Sequence, residues 1–192
     1  MTTAAEPRPA ELPLAGGRKD ASVRVHPLLC ATFRWPPGWA VGESGRMAWR
    51  KAAGFGVPRS EWLDGPIVAF LVEHPSAGLM LIDTGLHPSV AVDPKKNMGL
   101  AGGFAFKNLE MKSEQSVAAQ LRSRGIDPSE IRTVVMTHLH IDHASGMSEF
   151  PEATFLFSKA EWEAATTQGQ LHGYVTKQFD HAFDYRMHEL EM

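Results

Sequence analysis

The longest apolar pattern in the chain is "PIVAFLVEHPSAGLMLIDTG" (66–85), two runs of strand-forming residues separated by the turn-rich "EHPSAG". That arrangement predicts a β-hairpin. The unbroken apolar character of "IVAFLV" and "LMLI" predicts strands covered on both faces. Upstream, "VRVHPLLCATF" (23–33) suits another strand, with Pro27 placed at a sheet edge because it lacks an N–H to donate. Downstream, "SEQSVAAQLRSRG" (113–125) predicts a helix. Ser113 is the candidate N-cap, Glu114 suits the first turn, Gly125 ends it, and Val117 and Leu121 share a face. "DPSE" makes a turn, and "IRTVVMT" (131–137) is a buried-type strand leading into "THLHIDHASG" (137–146).

Two stretches have weak periodicity. "RWPPGWAVGESGRMAWRKAAGFGVPRSEWLDG" carries Trp35, Trp39, Trp49 and Trp62, which either wall a pocket or pack onto the core. Residues 86–112, rich in Gly, Met and Phe, are expected to be loop: a lid, a binding loop or a disordered segment. Residues 1–20 are expected to be a disordered tail, with prolines and glycines where a secretory signal would carry its apolar run. The domain is placed at 21–192. No stretch approaches the roughly 20 apolar residues of a membrane helix, so no membrane partner is expected.

Composition narrows the classes. A chain of 192 residues fits one domain. A net charge of -3 and a pI near 6.3 argue against a nucleic-acid partner, which calls for a basic surface. Cys30 is the single cysteine, which excludes an intrachain disulfide and a cysteine-rich zinc site. A cytoplasmic location is the expectation compatible with that count.

The densest chemistry is three histidines and an aspartate in "HLHIDH". On an extended segment side chains two apart point the same way, so His138 and His140 project together. Asp142 and His143 fall where the chain turns and point in different directions. Two ligands for one metal and two for a neighbour is the economical solution. Imidazole with carboxylate suits zinc, and also iron, manganese or cobalt. Asp83, at the end of the second hairpin strand, taken alone caps a turn through its own backbone contacts.

"THLHIDH" after "IRTVVM" resembles the signature of the metallo-β-lactamase superfamily, and "LMLIDTG" resembles that family's earlier strand-end motif. "ASGMSEFPEATFLFSKAEWEAA" resembles its continuation: a short helix, a strand and a helix. The resemblance spans roughly residues 22–165 and is greatest to the N-acyl homoserine lactonase-like branch. It implies an α+β fold, the four-layer αββα sandwich, of which this chain supplies mainly the N-terminal half. It implies two divalent metal ions, zinc first, with His138 and His140 on one and Asp142 and His143 on the other. Asp83 would lie beneath the site and orient a ligand histidine or the loop. The implied activity is a metal-dependent hydrolase that opens lactones or related esters through a metal-bound hydroxide, with Asp142 as proton acceptor. The partner is then a small-molecule lactone or ester, and a homo-oligomer stays open.

Other reactions of the superfamily, on thioesters, β-lactams or phosphodiesters, are the alternative chemistry. The family pattern continues past Asp142-His143 with a third histidine in a Pro-Gly-His-Thr-like turn, a bridging aspartate and a last histidine, none of which appears before Met192. A truncated, catalytically inactive fragment or a binding module is therefore the alternative of a different class. A half-sandwich would also leave apolar strand faces exposed. His172, His181 and His188 are the remaining candidate ligands. His181 and His188 lie seven apart in "FDHAFDYRMHELEM", on one face if that segment is helical.

Overall fold

Seven strands form one mixed sheet in a computed structural model that describes residues 22–38, 42, 44–45, 48–52 and 54–188. The expected tail and Trp39 lie outside the described residues. Strands β1 (Arg24–Trp35), β2 (Leu63–His74) and β3 (Gly78–Ile82) pair antiparallel, and the short β4 (Leu109–Glu110) adds to the outer side of β1. Strands β5 (Thr133–Val135), β6 (Thr154–Ser158) and β7 (Asp184–His188) continue from β3 in parallel, giving the order β4-β1-β2-β3-β5-β6-β7. Parallel neighbours need long crossovers. Here these carry helices α2 (Pro94–Ala105), α3 (Val117–Ser123), α4 (Ile141–Ala144) and α5 (Lys159–Gln168), with a short α1 (Ala48–Ala52) lying between β1 and β2. The α+β expectation holds, and one sheet of the expected two lies among the described residues.

The hairpin forms as expected. Gly78 (φ +77°) opens β3, and the His74 imidazole accepts from the Ser76 and Ala77 amides of the turn. β4 pairs only with Thr32 and Phe33, so among the described residues Pro27 sits on an open edge. A bulge between Leu29 and Ala31 inserts Cys30, and Leu28, Cys30 and Ala31 are all buried around it.

The two faces of the sheet differ from the expectation of double coverage. One lateral row, Leu71–Leu81–Val134–Phe155, has exposures of 0–1%. The next row along, Phe70–Ile82–Val135–Leu156, points to the opposite face and is only half-buried, with Phe70 at 36%. Helices cover one face. The other keeps apolar side chains partly in solvent, so the strands are continuously apolar in sequence without being covered on both faces.

Four local expectations need correction. Residues 86–112 are not structureless: a turn at Pro88–Ala91 precedes α2, whose first-turn Lys95 amide is capped by the Asp93 carboxylate. Gly99 (φ 74°) breaks α2 midway, and a Cβ at Gly102 would lie 2.6 Å from Ile141, so glycines needed for contact hide the helical pattern. The helix expected from Ser113 begins after a separate turn at Ser113–Gln115, with Ser116 as its cap, accepting from the Ala119 amide. β5 is shorter than the predicted strand. The segment holding His181 and His188 is not helical, because residues 184–188 pair with β6.

Trp35 and Trp62 pack rather than wall a cavity, while Trp49 is 66% exposed. Trp35 meets Phe33 edge-on at 5.3 Å, and the Trp62 indole donates to the Val57 carbonyl while its ring fills the space beside Gly54.

Candidate metal centre

The site grows from the carboxyl ends of β3 and β5, which run side by side in parallel. β3 delivers Asp83, 4% exposed and, glycines aside, the one described residue with positive φ (60°). Aspartate tolerates the left-handed region better than most side chains. Its amide continues the β3–β5 ladder by donating to the Val135 carbonyl (2.9 Å). Its carboxylate then collects three donors. Oδ1 accepts the Thr137 amide (2.8 Å), while Oδ2 accepts the Thr137 hydroxyl (2.7 Å) and faces His143 Nδ1 at 2.8 Å. The last contact fixes the His143 tautomer: Nδ1 carries the proton and donates to Asp83, leaving Nε2 to face the site.

The next residues stitch the β3 end to α4. The Thr84 amide and hydroxyl both donate to the His143 carbonyl (3.1 and 2.7 Å), and the Gly146 amide donates to the Gly85 carbonyl (3.1 Å). A Cβ at Gly146 would stand 2.5 Å from the Thr84 carbonyl oxygen, so the approach requires glycine. From β5 the chain bends at Thr137 and passes through His138–His140 before α4 starts at Ile141.

The side chains converge. The His138 and His140 rings lie 4.5 Å apart between centroids, edge to face, and His138 and His143 lie 4.0 Å apart. Donor atoms of His138, Asp142 and His143 all fall within 4.8 Å of one another. His140 stands beside this group through its contact with His138. Two imidazoles and a carboxylate gathered so closely, all half-buried, form a donor set that fits a divalent ion of the zinc type.

The electrostatics follow from the placement. Burial, then repulsion from His143 and His140, holds the His138 imidazole below its ordinary value. Burial acts the same way on His143, but the Asp83 hydrogen bond and the Asp142 and Asp83 charges outweigh it and raise that imidazole. Of these two imidazoles, His143 is the one that takes a proton first as pH falls.

His172, His181 and His188 are not part of the group. His172 is exposed after α5, His181 is followed by bends, and His188 ends β7. Thr137, Thr84 and Gly146 are site-building residues that local sequence reasoning passes over. Their importance comes from partners on other segments, which no spacing rule reveals.

Comparison with known proteins extends these observations. The sequence profile of the metallo-beta-lactamase superfamily matches residues 62–186. The N-acyl homoserine lactonase AttM of Azorhizobium caulinodans is 35% identical over 117 residues, which make up 60% of this chain and 43% of that protein. The chain thus spans less than half the length of this relative. Among solved structures, an N-acyl homoserine lactone hydrolase with N-hexanoyl-L-homoserine, its product, bound at its catalytic metal center superposes with a TM-score of 0.62. That pair shares 22% identity over 87% of this chain and 59% of the other. AidC, a dizinc quorum-quenching lactonase, superposes with a TM-score of 0.50 at 18% identity, over 77% of this chain and 45% of its own. Among the described residues, no helix is long and apolar enough to cross a membrane.

Proposed function

The chain belongs to the metallo-β-lactamase superfamily, and from that membership we propose that it serves a metal-dependent hydrolase that opens lactones or related esters. The observation carrying the reading is the His138–Asp142–His143 donor cluster at the carboxyl ends of β3 and β5. His138 and His140 would hold one divalent ion and Asp142 and His143 a second, with zinc the first choice. A metal pair of this kind lowers the pKa of bound water and polarises a substrate carbonyl.

The protein's own residues supply the rest. Asp83 keeps the Nδ1 proton of His143 in place, so the lone pair of Nε2 is available to a ligand. Asp142 accepts the proton released as water adds to the carbonyl. The lactone preference rests on relatives named as N-acyl homoserine lactonases. A phosphodiester substrate fits poorly with a net charge of -3. Residues 21–192 would act together as the N-terminal portion of one domain. The free, buried Cys30 suits a reducing cytoplasm.

The test is lactone hydrolysis at saturating metal by wild type and Asp142→Asn. General acid–base catalysis contributes about 10²–10⁴-fold, and the variant is expected to lose at least that much. Unchanged turnover would remove Asp142 from its role.

A second reading, an inactive fragment or binding module, draws support from the 43% coverage of the lactonase relative and from the half-exposed sheet face. Zinc titration of this chain beside a C-terminally extended version separates the two. Two tight sites and equal lactonase turnover in both proteins would refute the fragment reading.

A further inference from the structure

We propose that Glu161 and Tyr174 are positioning residues for the His138-x-His140 pair, Glu161 by holding the Leu139 amide and Tyr174 by backing the His140 ring. The inference rests on the metal-binding reading of that pair.

Leu139 lies between the two histidines, and its side chain is fully buried in the core. β5 has already ended at Val135, so no strand neighbour is available to its amide. A buried N–H without an acceptor costs about 1–3 kcal/mol. The acceptor is Glu161 Oε1, at 2.7 Å. Glu161 sits at the third position of α5, where a glutamate ordinarily reaches back to the cap residue. Ser158 does cap α5 by accepting the Glu161 amide (3.1 Å), yet the Glu161 carboxylate turns to the histidine segment instead. A charged acceptor on a backbone N–H makes a short, strong bond. It also fixes the peptide plane from which both imidazoles take their direction.

The second restraint comes from residues after α5. The Ile141 amide donates to the Gly173 carbonyl (2.9 Å), and His140 forms an isolated antiparallel bridge with Tyr174. Tyr174 is 6% exposed, and its ring lies 4.7 Å from that of His140. Gly173 (φ +90°) lies under the His140 ring, where a Cβ would approach to 3.2 Å. Burial, then the charge of the nearby Glu161 carboxylate, raises the Tyr174 phenol. Glu161 therefore stands near both restraints: its carboxylate holds the backbone between the histidines and carries its charge close to the tyrosine that backs one of them.

The experiment uses the full chain as wild type, Glu161→Ala, Glu161→Gln, Tyr174→Phe and His138→Ala. Zinc affinity is measured by calorimetry, and Leu139 amide exchange is followed by NMR on metal-free protein. Partners behind metal ligands are worth about 10–100-fold in metal affinity. Glu161→Ala should lose that much and also lose protection at Leu139. Glu161→Gln, whose carbonyl accepts the same N–H, should restore most of both, and Tyr174→Phe should show a smaller loss of affinity. Wild-type affinity with wild-type protection in Glu161→Ala overturns the proposal. Should Glu161→Ala fail to fold, the wild-type amide decides: slow exchange is expected, and exchange at the rate of an open peptide overturns it. Zinc binding that is absent from wild type, or indifferent to His138→Ala, sinks the metal reading instead, and the Leu139 amide still judges the positioning.

Discussion

The antiparallel half of the sheet and the carboxyl ends of its parallel half are built on different principles. In β1 and β2 the interior is apolar: Leu28, Ala69 and Leu71 are buried, while the ion pairs Arg24–Glu73, His26–Glu73 and Arg34–Asp64 lie at or near the surface. Such exposed pairs contribute roughly 0–1 kcal/mol. At the ends of β3 and β5 the interior is polar and fully engaged, with Asp83 serving three donors and Glu161 serving a backbone amide. The change of regime occurs within β3 and its first following residue, since Leu81 is core and Asp83 is site. Buried polarity is concentrated where imidazoles must be aimed, and elsewhere volume does the stabilising.

Substitutions can break that contrast. The largest effect is expected from Asp83→Ala, which strips three donors of their acceptor. It should lower zinc affinity about 10–100-fold and stability by about 3 kcal/mol, since one hydrogen bond to a charged group is worth roughly 1.5–3. Leu28→Ala should lose a similar 2–5 kcal/mol through its cavity while leaving zinc affinity unchanged. Urea denaturation and calorimetry on the two variants read both quantities. If Leu28→Ala weakens zinc as much as Asp83→Ala does, the two regions are not distinct.

Gly146→Ala comes next, because the added Cβ meets the Thr84 carbonyl at 2.5 Å. Overpacking of this kind costs about 1–3 kcal/mol. Its hallmark is disturbance of the Thr84–His143 contacts, visible as shifted His143 resonances.

A smaller effect sharpens the polar side of the comparison. In metal-free protein His143 should titrate above 6.5 and His138 below it, by site-resolved NMR. The signs oppose. His143 contributes stability that is fully present below 6.5 and is lost as pH rises through its raised folded value. The His138 contribution is present above 6.5 and is lost as pH falls through its lowered folded value. Reversal of that order would mean that Asp83 does not hold His143 as described.

The smallest perturbation belongs to the apolar side. Burial pushes the Cys30 thiol up to about 11, so thiol reagents at mildly alkaline pH should leave the native protein unlabelled until it unfolds. Fast native labelling would show the bulge to be open.

The sequence carried the site further than it carried the surroundings. The meeting of His138 and His140 is legible because an apolar strand precedes them and they lie two apart. Asp83 was legible only through family resemblance, since its donors lie over 50 residues away. Apolar continuity in "IVAFLV" misreports coverage, because Phe70 and Ile82 are apolar on a face that stays half-exposed. The glycines of 99–103 conceal α2, and the seven-residue spacing of His181 and His188 suggests a helix where pairing with β6 imposes a strand. In the last two cases a partner distant in sequence outweighed the local pattern.

The long reach from Asp83 to His143 also has a consequence in time. His138, His140, Asp142 and His143 are near neighbours along the chain, and on the proposed metal-binding reading they could meet a metal ion as soon as that segment exists. The contact that selects the His143 nitrogen spans 60 residues and waits for the parallel pairing of β3 with β5. Pairings of this kind are slow because a long loop must close first. An ion captured early thus meets an imidazole free to offer either nitrogen, and the wrong choice must be undone before Asp83 can engage. Refolding with zinc present from the start should accordingly be slower than refolding followed by zinc. Equal rates would mean that β3 and β5 pair before the histidine turn can hold an ion.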